Sequence, residues 1–275
     1  MNIGIIGTGS IGTVLTEALM FAAAAEPENI VLHNRTREKA LHLKALFPGI
    51  HVCQTTKELV KKTQLIFVCV RQPDLKPLLE SIAPFLTQEH CVLATASAVS
   101  TKQMESIISC SCGKVIPSVT NTVASGGILY SFGDSCENDW QQKVTGLLNQ
   151  IASVALETDD NIIRAASDLT GCGPAFFSKM AVMYADEAVT YGLTKSQAET
   201  LAFHMMIGLG ELLKQKDWTL EMLTERTAAK GGVTGRGLTV IESEAGELFA
   251  SLCRMTQQKA AEDRKEASAA FGIID

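Results

Sequence analysis

Apolar residues arrive along this chain in two rhythms. Up to about residue 158, short runs poor in charge alternate with segments whose apolar positions recur three and four apart. Asn2-Ile3-Gly4-Ile5-Ile6, Asn29-Ile30-Val31-Leu32-His33, residues 50–53, Leu65-Ile66-Phe67-Val68-Cys69-Val70, Cys91-Val92-Leu93-Ala94-Thr95 and Lys114-Val115-Ile116-Pro117 are runs of the first kind. Such runs, bounded by turn residues, are the pattern of strands buried on both faces. Residues 127–132 and 153–157 are further candidates. Between them, helical spacing predicts helices over 13–24, over a stretch ending near Phe47, over 57–62 with Thr55 or Thr56 as N-cap, and over 75–85. Strand and helix in alternation predict a parallel α/β sheet.

From Asp159 onward the strand rhythm stops. Helices are expected over 161–168, 174–191, 195–215, 219–228 and 238–270. Pro174 suits a first helical turn, Gly192 a helix stop, and Thr194 the cap of the next helix. The expected organisation is therefore an α/β domain over residues 1–158 followed by an all-helical domain over 159–275.

The first strand runs straight into Gly7-Thr8-Gly9-Ser10-Ile11-Gly12 and then into a helix. Strand, G-x-G-x-x-G and helix in that order are the fingerprint of a dinucleotide site. The first glycine allows the tight turn, the second lets backbone approach a pyrophosphate, and the third brings helix and strand close. The helix start then offers free N–H groups and the positive end of its dipole to phosphates. Residues 7–12 are thus candidate cofactor residues, and the α/β domain is expected to be a Rossmann domain. A site for NAD needs an acidic residue at the end of the second strand, to accept from the ribose 2′-hydroxyl. That place holds Asn34, followed by Arg35, Thr36 and Arg37. Arginine and hydroxyl groups would bind a 2′-phosphate that an acid would repel, so the expected cofactor is NADP(H).

Bulk properties narrow the partners. The net charge of −6 leaves no basic footprint for nucleic acid or an anionic membrane. No apolar stretch is long enough to span a bilayer, and no leader peptide is expected, because the N-terminal apolar residues belong to the first strand. The eight cysteines are scattered, and Cys110-Ser-Cys112 has no second pair at zinc spacing. Most read as small core residues of a reduced, cytoplasmic protein, and no metal site is expected.

Three separated segments carry a family resemblance. The first is the turn at residues 7–12 with Asn34-Arg35. The second, Leu169-Thr170-Gly171-Cys172-Gly173-Pro174-Ala175-Phe176, resembles the Ser-Gly-Ser-Gly-Pro-Ala-Tyr segment of pyrroline-5-carboxylate reductases. The third, Ala229-Lys230-Gly231-Gly232-Val233-Thr234, resembles their Pro-Gly-Gly-Thr-Thr signature. The order and spacing are similar to that family along the whole chain. This resemblance implies a helical domain that dimerises, giving a homodimer or higher homo-oligomer. It also implies NADPH-dependent hydride transfer that reduces the cyclic imine 1-pyrroline-5-carboxylate to proline. By the same resemblance, Val70 and Arg71 lie on the cofactor, and Gly171, Cys172, Gly173 and Pro174 lie near the substrate. Gly231 and Gly232 offer backbone N–H groups to its carboxylate, and Thr234 serves the imine nitrogen as the catalytic residue.

The chain also departs from the family. Lys230 replaces the signature's proline and Val233 its first threonine. The family's Met-Pro-Asn-Thr-Pro run appears as Ile116-Pro117-Ser118-Val119-Thr120, and its lysine-proline pair as Arg71-Gln72-Pro73. These departures keep two alternatives open. One is a divergent paralogue reducing another small imine or carbonyl acid, similar to reductase-like proteins encoded among late-competence genes of sporulating bacteria. The other is a non-catalytic NADP-binding regulatory protein.

Overall fold

The computed structural model describes residues 1–159, 162–215, 217–229 and 231–273. Among them, eight strands form one sheet: β1 (Ile3–Ile6), β2 (Ile30–His33), β3 (His51–Val52), β4 (Leu65–Val68), β5 (Cys91–Ala94), β6 (Ser111–Ile116), β7 (Gly127–Phe132) and β8 (Val154–Glu157). Their order is β3-β2-β1-β4-β5-β6-β7-β8. The order in which strands are added reverses between β1 and β4: β1 pairs in parallel with β2 on one side and β4 on the other, so that Ile6 stands opposite both His33 and Val68. In an open α/β sheet, ligands bind outside the strand ends at such a switch point.

The sheet is parallel through β6, but β7 is antiparallel to β6, with Lys114 opposite Ser131. The sheet is thus mainly parallel, as the alternation of strand and helix predicts, with one antiparallel pair. Only a 3₁₀ turn at Val119–Val123 joins β6 to β7, with no crossover helix, and a parallel pair needs one. A helix unforeseen from the sequence, α6 at Asn138–Ile151, then supplies the crossover that makes β8 parallel to β7.

Helices cover both faces. Leu15, Ala18 and Leu19 of α1 (Ser10–Phe21), Ala40 and Leu43 of α2 (Arg37–Leu46), and Trp140, Val144 and Leu148 of α6 bury one face of the sheet. The other is buried by Leu59 and Val60 of α3 (Thr56–Lys62), by Leu75, Leu79 and Ile82 of α4 (Gln72–Ile82), and by Met104 of α5 (Thr101–Glu105). Thr55 caps α3, its hydroxyl accepting from the Glu58 N–H at 3.1 Å. After β8 come α7 (Ile163–Ser167), a π-helical turn at Asp168–Cys172, α8 (Gly173–Thr190), α9 (Lys195–Leu213), α10 (Leu220–Thr227) and α11 (Val233–Phe271). The start at Asn161 expected for the first of these helices lies outside the described residues.

Two compact units result: residues 1–172 with 256–275, and residues 173–255. In the first, the end of α11 returns to the α/β layers, where Ala267 is 1% exposed and Phe271 packs on the α3–α5 side of the core. The second unit holds α8, α9, α10 and most of α11. Within α8 and α9 only Gly173, Ala185 and Ala198 are buried in the single chain. Large apolar side chains such as Tyr184, Leu201, Phe203 and Ile241 are each more than half exposed.

Candidate cofactor and substrate site

The glycine turn begins where β1 ends. Gly7 has φ +96°, a left-handed conformation that a side chain would strain, and a Cβ there would strike the Cys69 carbonyl. A Cβ on Gly12 would run into the Gly7 carbonyl oxygen. Both are therefore glycine for reasons internal to the chain. Gly9 differs: a Cβ built on it meets no protein atom within 4 Å. Space left open by the protein at this glycine is what the close approach of a pyrophosphate requires.

Helix α1 starts immediately after Gly9, three residues earlier than the spacing predicts. It has no side-chain cap and no acid in its first turn. Gly9, Ser10 and Ile11 are exposed, so the unsatisfied N–H groups of this helix start face outward. The Thr8 hydroxyl is buried and has no partner among the described residues. Burial pushes the thiol of neighbouring Cys69 up to about 12, a hydrogen bond with Thr95 opposing it, so no negative charge arises beside the turn. An uncapped helix start, an open glycine and an orphan hydroxyl fit the diphosphate of a dinucleotide.

The residues after β2 divide into two roles. Asn34 is a brace: its Oδ1 accepts the Thr8 N–H at 2.9 Å and its Nδ2 donates to the Thr36 carbonyl at 2.8 Å. The turn and the end of β2 are thereby held together, reinforced by the Gly7 N–H bonding the His33 carbonyl at 2.8 Å. Arg35, Thr36 and Arg37 are exposed. No ion pair of either arginine occurs among the described residues, which leaves both cations available to an anion. After β4, Val70 lies half-buried against Gly7, and Arg71 flanks α4, its Nε 3.3 Å from Asp74 Oδ2.

The loop after β5 escaped the sequence reading. Ile6, Val68 and Ala94 end adjacent parallel strands, so residues 95–100 emerge beside the glycine turn's edge of the sheet. Lys114, 1% exposed, reaches the Ser97 carbonyl with its Nζ at 3.4 Å. A lysine inside an apolar run was the available signal. Ser118, flagged as a departure, joins Asn121 in a capping box: the Ser118 N–H donates to Asn121 Oδ1 at 2.7 Å.

The candidate substrate residues fall in two places. Gly171 and Cys172 close the π-helical turn, and Gly173 and Pro174 open α8. Cys172 is half-buried, with Arg164 Nη2 3.4 Å from its sulfur. In the second unit Gly231 has φ +76°, the Gly232 N–H bonds the Ala229 carbonyl at 2.8 Å, and Thr234 is the second residue of α11 and exposed. Lys230 lies outside the described residues.

Known proteins resemble this chain over both of its halves. Residues 160–263 match the family described as pyrroline-5-carboxylate reductase dimerisation, and residues 2–113 the family described as NADP oxidoreductase coenzyme F420-dependent. The ComE operon protein 4 of Bacillus subtilis is 38% identical over 264 residues, covering 96% of each chain. The pyrroline-5-carboxylate reductase of Treponema pallidum is 27% identical over 250 residues, 89% of this chain and 94% of its own. Among solved structures, a Plasmodium falciparum pyrroline carboxylate reductase with NADP bound shares the fold at a TM-score of 0.78 and 18% identity, over 98% of this chain and 97% of the other. Glycine turn, helical unit and full-length relatives agree: the chain belongs to the pyrroline-5-carboxylate reductase family of NADP-dependent oxidoreductases.

Proposed function

We propose that this protein uses NADPH to reduce 1-pyrroline-5-carboxylate to proline, as a cytoplasmic homodimer or higher homo-oligomer. The observation that carries the reading is the open cradle at Gly9, beside an uncapped helix start and two exposed arginines. When bound, NADPH supplies the hydride that turns the imine carbon of the protonated substrate into an amine carbon. The chain's own residues bind and orient. Backbone N–H groups of residues 9–11 would hold the diphosphate, the Thr8 N–H being taken by Asn34, and Arg35 and Arg37 would hold the 2′-phosphate. The Gly231 N–H is offered to the substrate carboxylate; that of Gly232, expected to share the task, is spent on the Ala229 carbonyl. The Thr234 hydroxyl accepts from the iminium N–H, whose positive charge draws the hydride to the adjacent carbon. No general base is needed, because the nitrogen keeps its proton as the C=N bond becomes a C–N bond.

One observation favours a second reading. The 38% identical relative bears a competence-operon name, not a reductase name. A divergent paralogue would keep the cofactor cradle and reduce a different small imine or carbonyl acid.

The test is turnover of purified protein with NADPH and pyrroline-5-carboxylate, beside a panel of other cyclic imines. Thr234→Ala is expected to lower kcat/KM roughly ten- to a hundredfold with NADPH affinity unchanged, the cost of one hydrogen bond to a charged group. Arg35→Ala is expected to weaken NADPH about tenfold and to leave NADH nearly unaltered. Turnover of another imine alone selects the paralogue. NADPH binding without any turnover, and indifference to Thr234→Ala, overturns both enzyme readings and leaves the regulatory one.

A further inference from the structure

The helical run from α7 into α8 is interrupted by the π turn at Asp168–Cys172. Pro174 explains the interruption: it has no N–H for the Thr170 carbonyl, and in a regular helix its ring would strike that oxygen. Widened turns of this kind leave backbone groups free and recur at functional sites. Left to itself such a turn is soft, yet this one is tightly held.

The holding residue is Asp168. Its side chain is 11% exposed, and both carboxylate oxygens are used. Oδ1 accepts from Arg164 Nη2 at 2.6 Å; Oδ2 accepts from the Thr256 hydroxyl at 2.7 Å and from Gln257 Nε2 at 3.1 Å. The same Arg164 Nη2 lies 3.4 Å from the sulfur of Cys172, at the other end of the turn. Arg164 is itself mostly enclosed, and its Nε–H is buried without a partner among the described residues. A buried guanidinium short of partners depends strongly on the one carboxylate it has.

We propose that Asp168 is a positioning residue for the reductase site. It clamps the first and last residues of the π turn through Arg164 and fixes that turn to the final helix through Thr256 and Gln257. Gly171 and Cys172 are thereby held in one geometry. The proposal rests on the reductase reading for its catalytic consequence, but not for its structural one. Without the clamp, the turn samples several positions and a bound imine is presented less often in a reactive orientation.

The experiment compares wild type, Asp168→Asn and Asp168→Glu in two assays. The first is steady-state kinetics with NADPH and the imine. Asp168→Asn is expected to reduce kcat/KM roughly tenfold or more while the NADPH Kd holds; Asp168→Glu, which keeps the charge, should fall between. The second is iodoacetamide alkylation, read at Cys172 by peptide mass. Loosening of the turn bares the half-buried sulfur, and loss of the Asp168 charge nearby favours the thiolate, so alkylation should speed at least about threefold in Asp168→Asn. If that variant does not fold, Thr256→Val combined with Gln257→Met removes two donors without unpairing the arginine and should move both readouts the same way. Kinetics and Cys172 alkylation that both match wild type overturn the proposal. Should wild type reduce no imine, the reductase reading fails alone, and the alkylation rate still decides whether Asp168 holds the turn.

Discussion

Gly9 and Gly12 look alike in the motif and differ in physics. A methyl on Gly12 must displace the Gly7 carbonyl, whereas a methyl on Gly9 enters empty space. Gly12→Ala is therefore expected to destabilise the fold by about 1–3 kcal/mol or more, as overpacking of a close contact does. Gly9→Ala should leave the melting temperature unchanged and weaken NADPH at least roughly tenfold, by blocking N–H bonds to a charged ligand. Thermal melts beside fluorescence titration separate the two. Equal damage to stability by both would mean that the space at Gly9 is not reserved for a ligand. The motif was legible because glycine is the one residue whose absence of a side chain can be read directly. The brace formed by Asn34 was not, because its bond to the Thr8 N–H joins positions 26 apart in sequence.

Among the elements, α1 is the most exposed to a clean test, because it starts with neither a cap nor an acid. Ser10→Asp should stabilise the unliganded protein by about 0.3–1 kcal/mol through the helix dipole. The same carboxylate would face the diphosphate, and repulsion at about 4 Å costs about 1 kcal/mol even in bulk water, so NADPH should weaken at least about fivefold. Opposite signs in melting and binding are the signature. A gain or loss in both would place the phosphates elsewhere. Element existence was largely legible where period and turn residues agreed, as in the apolar run of β4 ending at Arg71-Gln72-Pro73. It failed at α6, whose buried Trp140, Val144, Leu147, Leu148 and Ile151 keep helical spacing among many polar neighbours. Strand direction was also beyond reach, since nothing within residues 127–132 records that β7 runs against β6. The clamp on the π turn was equally hidden, because Asp168 and Thr256 stand 88 positions apart.

At the scale of the whole molecule, the second unit has too little buried surface to stand alone. Its α8 and α9 bury almost nothing in the single chain, and Leu201, Phe203, Met205, Met206 and Ile207 leave apolar surface on successive positions around α9. A helix apolar on several faces needs cover on several sides. The match of residues 160–263 to a dimerisation family points to a second copy as that cover. Light scattering at micromolar concentration should give at least a dimer, and Phe203→Asp should shift it toward monomer. Wild-type monomer would remove the assembly reading.

The return of α11 to the first unit has a consequence for how the protein is made. The α/β unit is interrupted by residues 173–255 and closed by residues 256–275. Its core takes Ala267 from that closing segment, and Gln103 Nε2 bonds the carbonyl of Ile273 at 3.2 Å. Synthesis proceeds from the N-terminus, and contacts between distant parts of a chain form late. The nucleotide-binding half, although begun first, is thus the half that finishes last. Until the last turns of α11 leave the ribosome, the seat of Ala267 and Phe271 beside α3–α5 stays open to water, so this half carries a small apolar patch through most of its synthesis.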